Sequence, residues 1–211
     1  MDKSPRVVWQ SQHVVDVGDA VFAARTYLEH RDLRALLEAA IGAHRLRKAC
    51  EIGSGLGRMT PVLTEFADIV FGFEREAHFV EQVQPLFPGI SFRQVASLDS
   101  LPVPDNHFGL ALTFTVLQHL TEPVLAKVVR EIDRVLEPGG ILVLCEETDT
   151  SHVAGTVTDP NGMCTVGRSV AHYQALFPGY VLRTTRPRVI EPTYPRSDVG
   201  TYMVFERPIA Q

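Results

Sequence analysis

The chain has 211 residues, 45% of them hydrophobic and 21% charged, with a formal net charge of −5 at pH 7. That length suits one domain with a full core. Lysines and arginines are scattered, which argues against a nucleic-acid partner, and no apolar run reaches the roughly 20 residues of a membrane helix.

The N-terminal stretch "MDKSPRVVWQSQHVVDVGDAVF" carries no apolar core followed by a cleavage site, so it does not read as a secretory signal. Cys50, Cys145 and Cys164 are too few and too far apart for a zinc site or a disulfide framework. Cys50 and Cys145, inside apolar runs, read as small core residues. The expectation is a cytoplasmic, metal-free protein.

Leu33, Leu36, Leu37, Ala40 and Ile41 fall on one helical face. "ACEI" (49–52) predicts a short buried strand. Met59, Val62, Leu63 and Phe66 then recur with helical period, with Pro61 in the first turn. "DIVFGFE" (68–74) is a second strand, and Phe79, Val83 and Leu86 mark a helix ending before Pro88. "ISFRQV" (90–95) and "GLALTFT" (109–115) are the third and fourth strands. A helical stripe from Val124 to Leu136 follows, with Thr121 near its cap, Pro123 in its first turn and "PGG" (138–140) as its stop. "ILVLCEE" (141–147), apolar on both faces, predicts a central parallel strand covered by helices.

Strand alternating with helix specifies a doubly wound α/β sheet. The C-terminal third departs from this alternation. After a helix over 169–177 come "YVLRTTRPRVI" and "VGTYMVFER", two strands without a helix between them, which form an antiparallel pair at one sheet edge. The three arginines of "RTTRPR" (183–188) read as an exposed strand edge.

The chemistry concentrates in "CEIGSGLGR", residues 50–58. A parallel sheet binds ligands at the carboxyl ends of its strands. A dinucleotide loop requires its third glycine at position 58, where Arg58 stands; the spacing is G-x-G-x-G, with the third glycine at Gly57. No Gly-Lys-Ser/Thr follows, so a phosphate-binding P-loop is excluded too. Glu74, at the end of the second strand, is placed to accept hydrogen bonds from the ribose hydroxyls of an adenosine. Glu51 sets a carboxylate beside the loop, which favours a cationic ligand. The pattern describes an adenosine-bearing cation without a pyrophosphate.

These residues resemble the class I S-adenosylmethionine-dependent methyltransferases. "CEIGSGLGR" is similar to their first motif, Glu74 to their second-strand acid, "LPVPDNHFGLALTFTVLQHL" (101–120) to their "LPFPDNSFD" stretch, and "RVLEPGGILVL" to their helix-to-strand turn. The resemblance spans roughly residues 47 to 147. It implies a Rossmann-like sheet of about seven strands, mostly parallel, with the seventh inserted antiparallel between the fifth and sixth. It implies one methyltransferase domain over 1–211: an N-terminal helical segment (1–45), a cofactor-binding core (46–147), and a substrate-side helix with the final β-pair (148–211). The cofactor it implies is S-adenosyl-L-methionine, its product S-adenosyl-L-homocysteine, and no metal is expected.

By the same resemblance, Gly53, Ser54, Gly55, Gly57 and Arg58 line the cofactor's methionine and ribose, Glu51 its amino group, and Glu74 with Arg75 the ribose. Ser97 stands where the family has an adenine-contacting Asp; Asp99 is the alternative, and Leu98 offers a backbone N–H to adenine. Thr113, Phe114, Thr115 and Gln118 face the methionine portion. His119 and Glu146 are the candidate catalytic bases, with Glu147, His152, His172 and Tyr173 as further candidates. His119 also reads as a cap of the turn before the long helix, and "EETD" (146–149) as a solvated acidic loop rather than a metal site. Residues 1–28, with Trp9, His13, Phe22 and Tyr27, either cover the site or pack on the sheet.

No large insertion separates the motifs, which favours a small-molecule acceptor methylated on oxygen, nitrogen or carbon. A protein N-terminus as acceptor and a non-catalytic cofactor-binding module are the alternatives.

Overall fold

A computed structural model of the chain describes residues 20–154, 164–189 and 198–209. In chain order these form α1 (Ala20–Ile41), β1 (Leu46–Ile52), β2 (Ala67–Glu74), α2 (Ala77–Val83), β3 (Ser91–Gln94), β4 (Phe108–Phe114), α3 (Glu122–Val135), β5 (Leu136–Glu146), β6 (Val153–Ala154), β7 (Thr165–Val166), α4 (Val170–Leu176), β8 (Val181–Val189) and β9 (Asp198–Glu206). Trp9 and His13 lie outside the described residues.

Seven strands make one sheet in the order β3-β2-β1-β4-β5-β9-β8, and β6 and β7 pair separately. The pairs β2–β3, β1–β2, β1–β4 and β4–β5 are parallel; β5–β9 and β8–β9 are antiparallel. The last strand therefore lies between β5 and β8, as the resemblance implied.

Side-chain alternation sends each strand into two cores. Ala49, Leu110, Leu112, Ile141 and Val143 meet α1 and the segment after β1 on one face. Cys50, Ile52, Ala111, Leu142 and Leu144 meet α3 and α4 on the other. Burial of each large aliphatic side chain contributes about 1.5–3 kcal/mol. β5 contributes to both cores, so its uninterrupted apolar run is that of a central strand.

Three local expectations change. The periodic run at 59–66 forms a 3₁₀-helix over Thr60–Glu65, with Pro61 at its start. Its burial of Thr60, Val62 and Leu63 is served by one tight turn after another. α2 stops at Val83, and Leu86 is exposed rather than part of a buried stripe. The "PGG" turn does not separate α3 from β5: the strand begins at Leu136, directly after the helix, and includes it.

The exposed edge predicted for "RTTRPR" holds for Arg183, paired with Glu206, and Arg186, paired with Asp32. It fails for Arg188, whose side chain is 4% exposed against Glu29 of α1 at 1%. A buried carboxylate on α1 draws it inward.

Candidate active site

The carboxyl ends of β1, β2, β4 and β5 converge on the glycine loop. Gly53 and Ser54 both donate their backbone N–H to Phe73 O of β2 (2.8 and 3.0 Å), and Gly57 N–H closes the turn on Ser54 O (2.8 Å). Gly55 and Gly57 have φ of +53° and +68°, in the left-handed region that favours glycine. Their surroundings differ. A Cβ on Gly57 would meet Val83 at 2.6 Å and Phe92 at 2.8 Å, whereas one on Gly55 would meet nothing within 4 Å. Gly57 lets the loop pack against the fold, and Gly55 presents bare backbone to open space. Gly57→Ala is expected to cost about 2–4 kcal/mol through strain and overpacking, measured by urea unfolding.

Glu74 ties this loop to β2. Its Oε2 accepts from Gly55 N–H (2.8 Å), and its Oε1 from the N–H groups of Arg75 (2.7 Å) and Glu76 (2.9 Å). Arg75 turns its guanidinium to Glu76 (3.1 Å). Beyond them, a cavity of about 520 Å³ is lined by Arg75, His78, Gln94 and Ala96 among others. Ser97 and Leu98 are half-buried in the following turn, where the Ser97 hydroxyl accepts from Asp99 N–H at 3.4 Å.

Glu51 is buried at the end of β1 and accepts from the Thr60 hydroxyl. Burial, with the Glu74 charge as a smaller cause, pushes its carboxyl up to about 8. The Ser54 hydroxyl, also buried, has no hydrogen-bond partner among the described residues.

At the end of β4, Thr115 adopts φ +55° and donates its N–H to Cys145 O (2.7 Å). Glu146 holds the turn that follows. It accepts from Thr113 Oγ1 (2.9 Å), Val116 N–H (3.3 Å) and Gln118 N–H (3.1 Å), and burial raises its carboxyl to about 7. Gln118 Oε1 returns the contact by accepting from Glu147 N–H (2.7 Å). Thr113 is therefore fully buried with its hydroxyl on Glu146. Glu146 and Glu147 are both buried, which overturns the solvated acidic loop expected there. No cluster of three or more metal-ligating side chains occurs among the described residues.

His119 bonds through Nδ1 to Cys164 O (2.9 Å), within 3.2 Å of the Thr165 hydroxyl, and its Nε2 lies 3.3 Å from Gln118 Nε2. Burial lowers its pKa, and the ring anchors the β7 segment to the turn after β4. Arg168 reinforces this junction. It donates to the carbonyls of Leu117 (3.2 Å) and Leu120 (2.8 Å) and pairs with Glu122.

Arg58 points toward α1. Its guanidinium pairs with Glu29 and lies 4.9 Å from the Phe114 ring centre and 5.5 Å from that of Phe22. Burial, with Arg188 and Arg25 nearby, lowers it to about 9. His30 adds a 2.6 Å hydrogen bond to Arg58 O, so α1 grips this residue through both side chain and backbone.

Sequence reasoning missed Glu29, Arg168 and the inward turn of Arg188. Glu29 left a signal: it precedes Leu33 by one helical turn, on the stripe that Leu36 and Leu37 continue. An acid on a buried stripe requires a partner, but Arg188 is 159 residues away in sequence, and no local pattern identifies it.

The methyltransferase-domain family model matches residues 50–144. A Mycolicibacterium smegmatis protein named "Probable S-adenosylmethionine-dependent methyltransferase" is 32% identical over 104 residues, 48% of this chain and 39% of its own length. Among solved structures, an S-adenosylmethionine-dependent methyltransferase from Leishmania major superposes with a TM-score of 0.70 at 20% identity, covering 86% of this chain and 72% of that one. The 1,6-didemethyltoxoflavin-N1-methyltransferase of Burkholderia thailandensis, solved with bound 1,6-didemethyltoxoflavin and S-adenosylhomocysteine, gives 0.67 at 16% identity, covering 85% of this chain and 78% of that one. The match spans well under half of the curated relative, and the structural likeness speaks for the fold. Sheet order, the G-x-G-x-G turn bonded to a β2 carboxylate, and the methyltransferase-domain match over residues 50–144 together support the resemblance to the class I S-adenosylmethionine-dependent methyltransferases.

Proposed function

We propose that the chain transfers a methyl group from S-adenosyl-L-methionine to an oxygen, nitrogen or carbon nucleophile of a small molecule in the cytoplasm. The observation that carries this reading is the Glu74–Gly55 contact beside bare, left-handed backbone. The residues fit the cofactor. Gly55 leaves room where a Cβ would stand, the Ser54 hydroxyl is buried without a described partner, and Glu51 is a buried carboxyl suited to an ammonium.

In this reading Gly53, Gly55 and Gly57 shape the cradle, with Ser54 and Arg58 at its rim. Glu51 takes the amino group, and Glu74 with Arg75 takes the ribose. Ser97 and Leu98 border the adenine, while Phe114, Thr115 and Gln118 flank the methionine end. When bound, the sulfonium supplies a methyl carbon that accepts the nucleophile's lone pair, while the carbon–sulfur electron pair stays on sulfur. The protein's contribution is alignment and exclusion of water, which favours loss of the sulfonium charge. α1 and Phe114 cover the site on one face. Where the acceptor must shed a proton, His119 is the candidate base; Glu146 already accepts three hydrogen bonds that hold the turn after β4.

Calorimetric titration with S-adenosyl-L-methionine, with NAD as control, tests the cofactor assignment. Binding of the sulfonium alone is expected, and binding of NAD alone would overturn it. Methyl release against small-molecule and peptide panels then separates the small-molecule enzyme from a peptide methyltransferase and from a non-catalytic module.

A further inference from the structure

The crossover from β3 to β4, residues 95–107, contains neither helix nor strand. A parallel connection normally carries a helix that packs it onto the sheet, and a bare segment of this length is otherwise either a binding loop or loose. Here side chains and backbone of α3 take the place of the missing helix.

Two residues of α3 receive the second half of the loop. Glu131, 7% exposed, accepts Leu101 N–H on Oε1 (2.5 Å). Arg134 donates from Nη2 to Leu101 O (3.1 Å) and from Nη1 to Val103 O (2.9 Å) and Asp105 Oδ1 (2.7 Å). Its Nε and Nη2 also bond the two Glu131 oxygens (2.8 and 2.6 Å), so all three guanidinium nitrogens are engaged. Asn106 N–H and His107 N–H then donate to the backbone carbonyls of Arg134 (2.8 Å) and Val135 (2.7 Å). Asp105 is 70% exposed, so its ion pair contributes little. The hold on Leu101 lies inside, where both its N–H and its carbonyl are taken.

The first half of the loop has a different anchor. Val95 N–H donates to Glu74 O (2.8 Å), the backbone of the residue whose carboxylate accepts from Gly55. Between Val95 and Leu101 one internal bond remains, from Asp99 N–H to the Ser97 hydroxyl at 3.4 Å. Leu98 stands midway between the two anchors. It is half-buried, and its N–H has no hydrogen-bond partner among the described residues. A backbone donor in that setting requires an acceptor, and its position is set from both sides: by Glu74 at Val95 and by α3 at Leu101.

We propose that Arg134 and Glu131 are positioning residues for the adenine: by fixing Leu101 they place the Leu98 N–H against N1 of the base. This rests on the cofactor assignment above. The consequence is one of selectivity. Adenine N1 has a lone pair to accept that N–H, whereas hypoxanthine N1 carries a proton, and a donor left unpaired against it rejects the wrong base.

The test is calorimetric titration of the full chain with S-adenosyl-L-homocysteine and with S-inosyl-L-homocysteine, which has hypoxanthine in place of adenine. The wild-type chain is expected to bind the adenine compound about tenfold or more tightly. Arg134→Lys keeps the charge but loses the fork that joins Leu101, Val103 and Glu131, and should shrink that preference about threefold or more. Glu131→Gln keeps one acceptor for Leu101 N–H and weakens the grip on Arg134, so a loss of about twofold is expected. Ile41→Ala, a core change in α1, lowers the melting temperature without touching the loop and should leave the preference whole. Wild-type preference in folded Arg134→Lys overturns the proposal, as does equal weakening of both compounds, which would assign the clamp to the fold alone. A preference lost equally in Ile41→Ala overturns it too, and so does a wild-type chain that binds the two compounds equally. Should Arg134→Lys fail to fold, Glu131→Gln decides, and an unchanged preference there counts against the proposal. A chain that binds neither compound fails the cofactor assignment itself, and this inference with it.

Discussion

Glu74→Ala is expected to weaken S-adenosyl-L-homocysteine binding by about tenfold to a hundredfold. The Glu74 carboxylate does two things at once. In the proposed reading it offers its remaining lone pairs to the ribose hydroxyls, and it fixes the loop through Gly55, Arg75 and Glu76 N–H groups. Removing it leaves three backbone donors to find water in a largely buried corner, so stability falls as well, by about 2–3 kcal/mol. Glu74→Gln keeps one carbonyl oxygen and should fall between the two proteins on both measures. Calorimetry on variants shown to be folded by their thermal transitions checks this; wild-type affinity in folded Glu74→Ala would remove Glu74 from the site.

The second large effect is one of pH. Glu51 is held up to about 8, against an ordinary value of 4.5, mainly by burial. Between about pH 4.5 and 8 the native chain keeps a proton that the unfolded chain has released. Stability without cofactor therefore falls as pH rises through that window and levels off above it. Glu146, raised to about 7, adds a fall of the same sign up to that pH. An incoming ammonium reverses the preference at Glu51, since it binds the ionised carboxylate. S-adenosyl-L-homocysteine affinity is thus expected to rise from pH 6 to 8, with close to one proton released at pH 7. The release is measured from the dependence of the binding enthalpy on buffer ionisation heat. Glu51→Gln, which retains an acceptor for Thr60, should abolish the proton release, flatten the fall in melting temperature with pH, and weaken binding. A wild-type protein that releases no proton at pH 7 would show that Glu51 does not meet the ammonium.

Two kinds of site residue emerge. Glu51, Gly55 and Glu74 lie within a few residues of strand ends whose apolar runs are plain, and the roles proposed for them follow from that placement. Glu146 and Thr113 also lie at strand ends, yet they point to the other face of the sheet and bind each other. Side-chain alternation makes that outcome readable once register is known. Which face carries the ligand is set by where α1 and α3 pack.

The sequence by itself determined the class of fold and pointed to the cofactor, because these depend on short-range signals: apolar period, glycine spacing and an acid at a strand end. Even the antiparallel insertion of β9 was legible, through the resemblance. Only the tertiary structure decided what packs beneath α1. Glu29, Arg58 and Arg188 come from three separate parts of the chain and meet only when α1 closes over β4 and β8. Burial then sets their chemistry, pairing Arg188 with an acid instead of water. Charge and burial act through space, and the chain's order of residues does not record which distant groups will share one low-dielectric pocket.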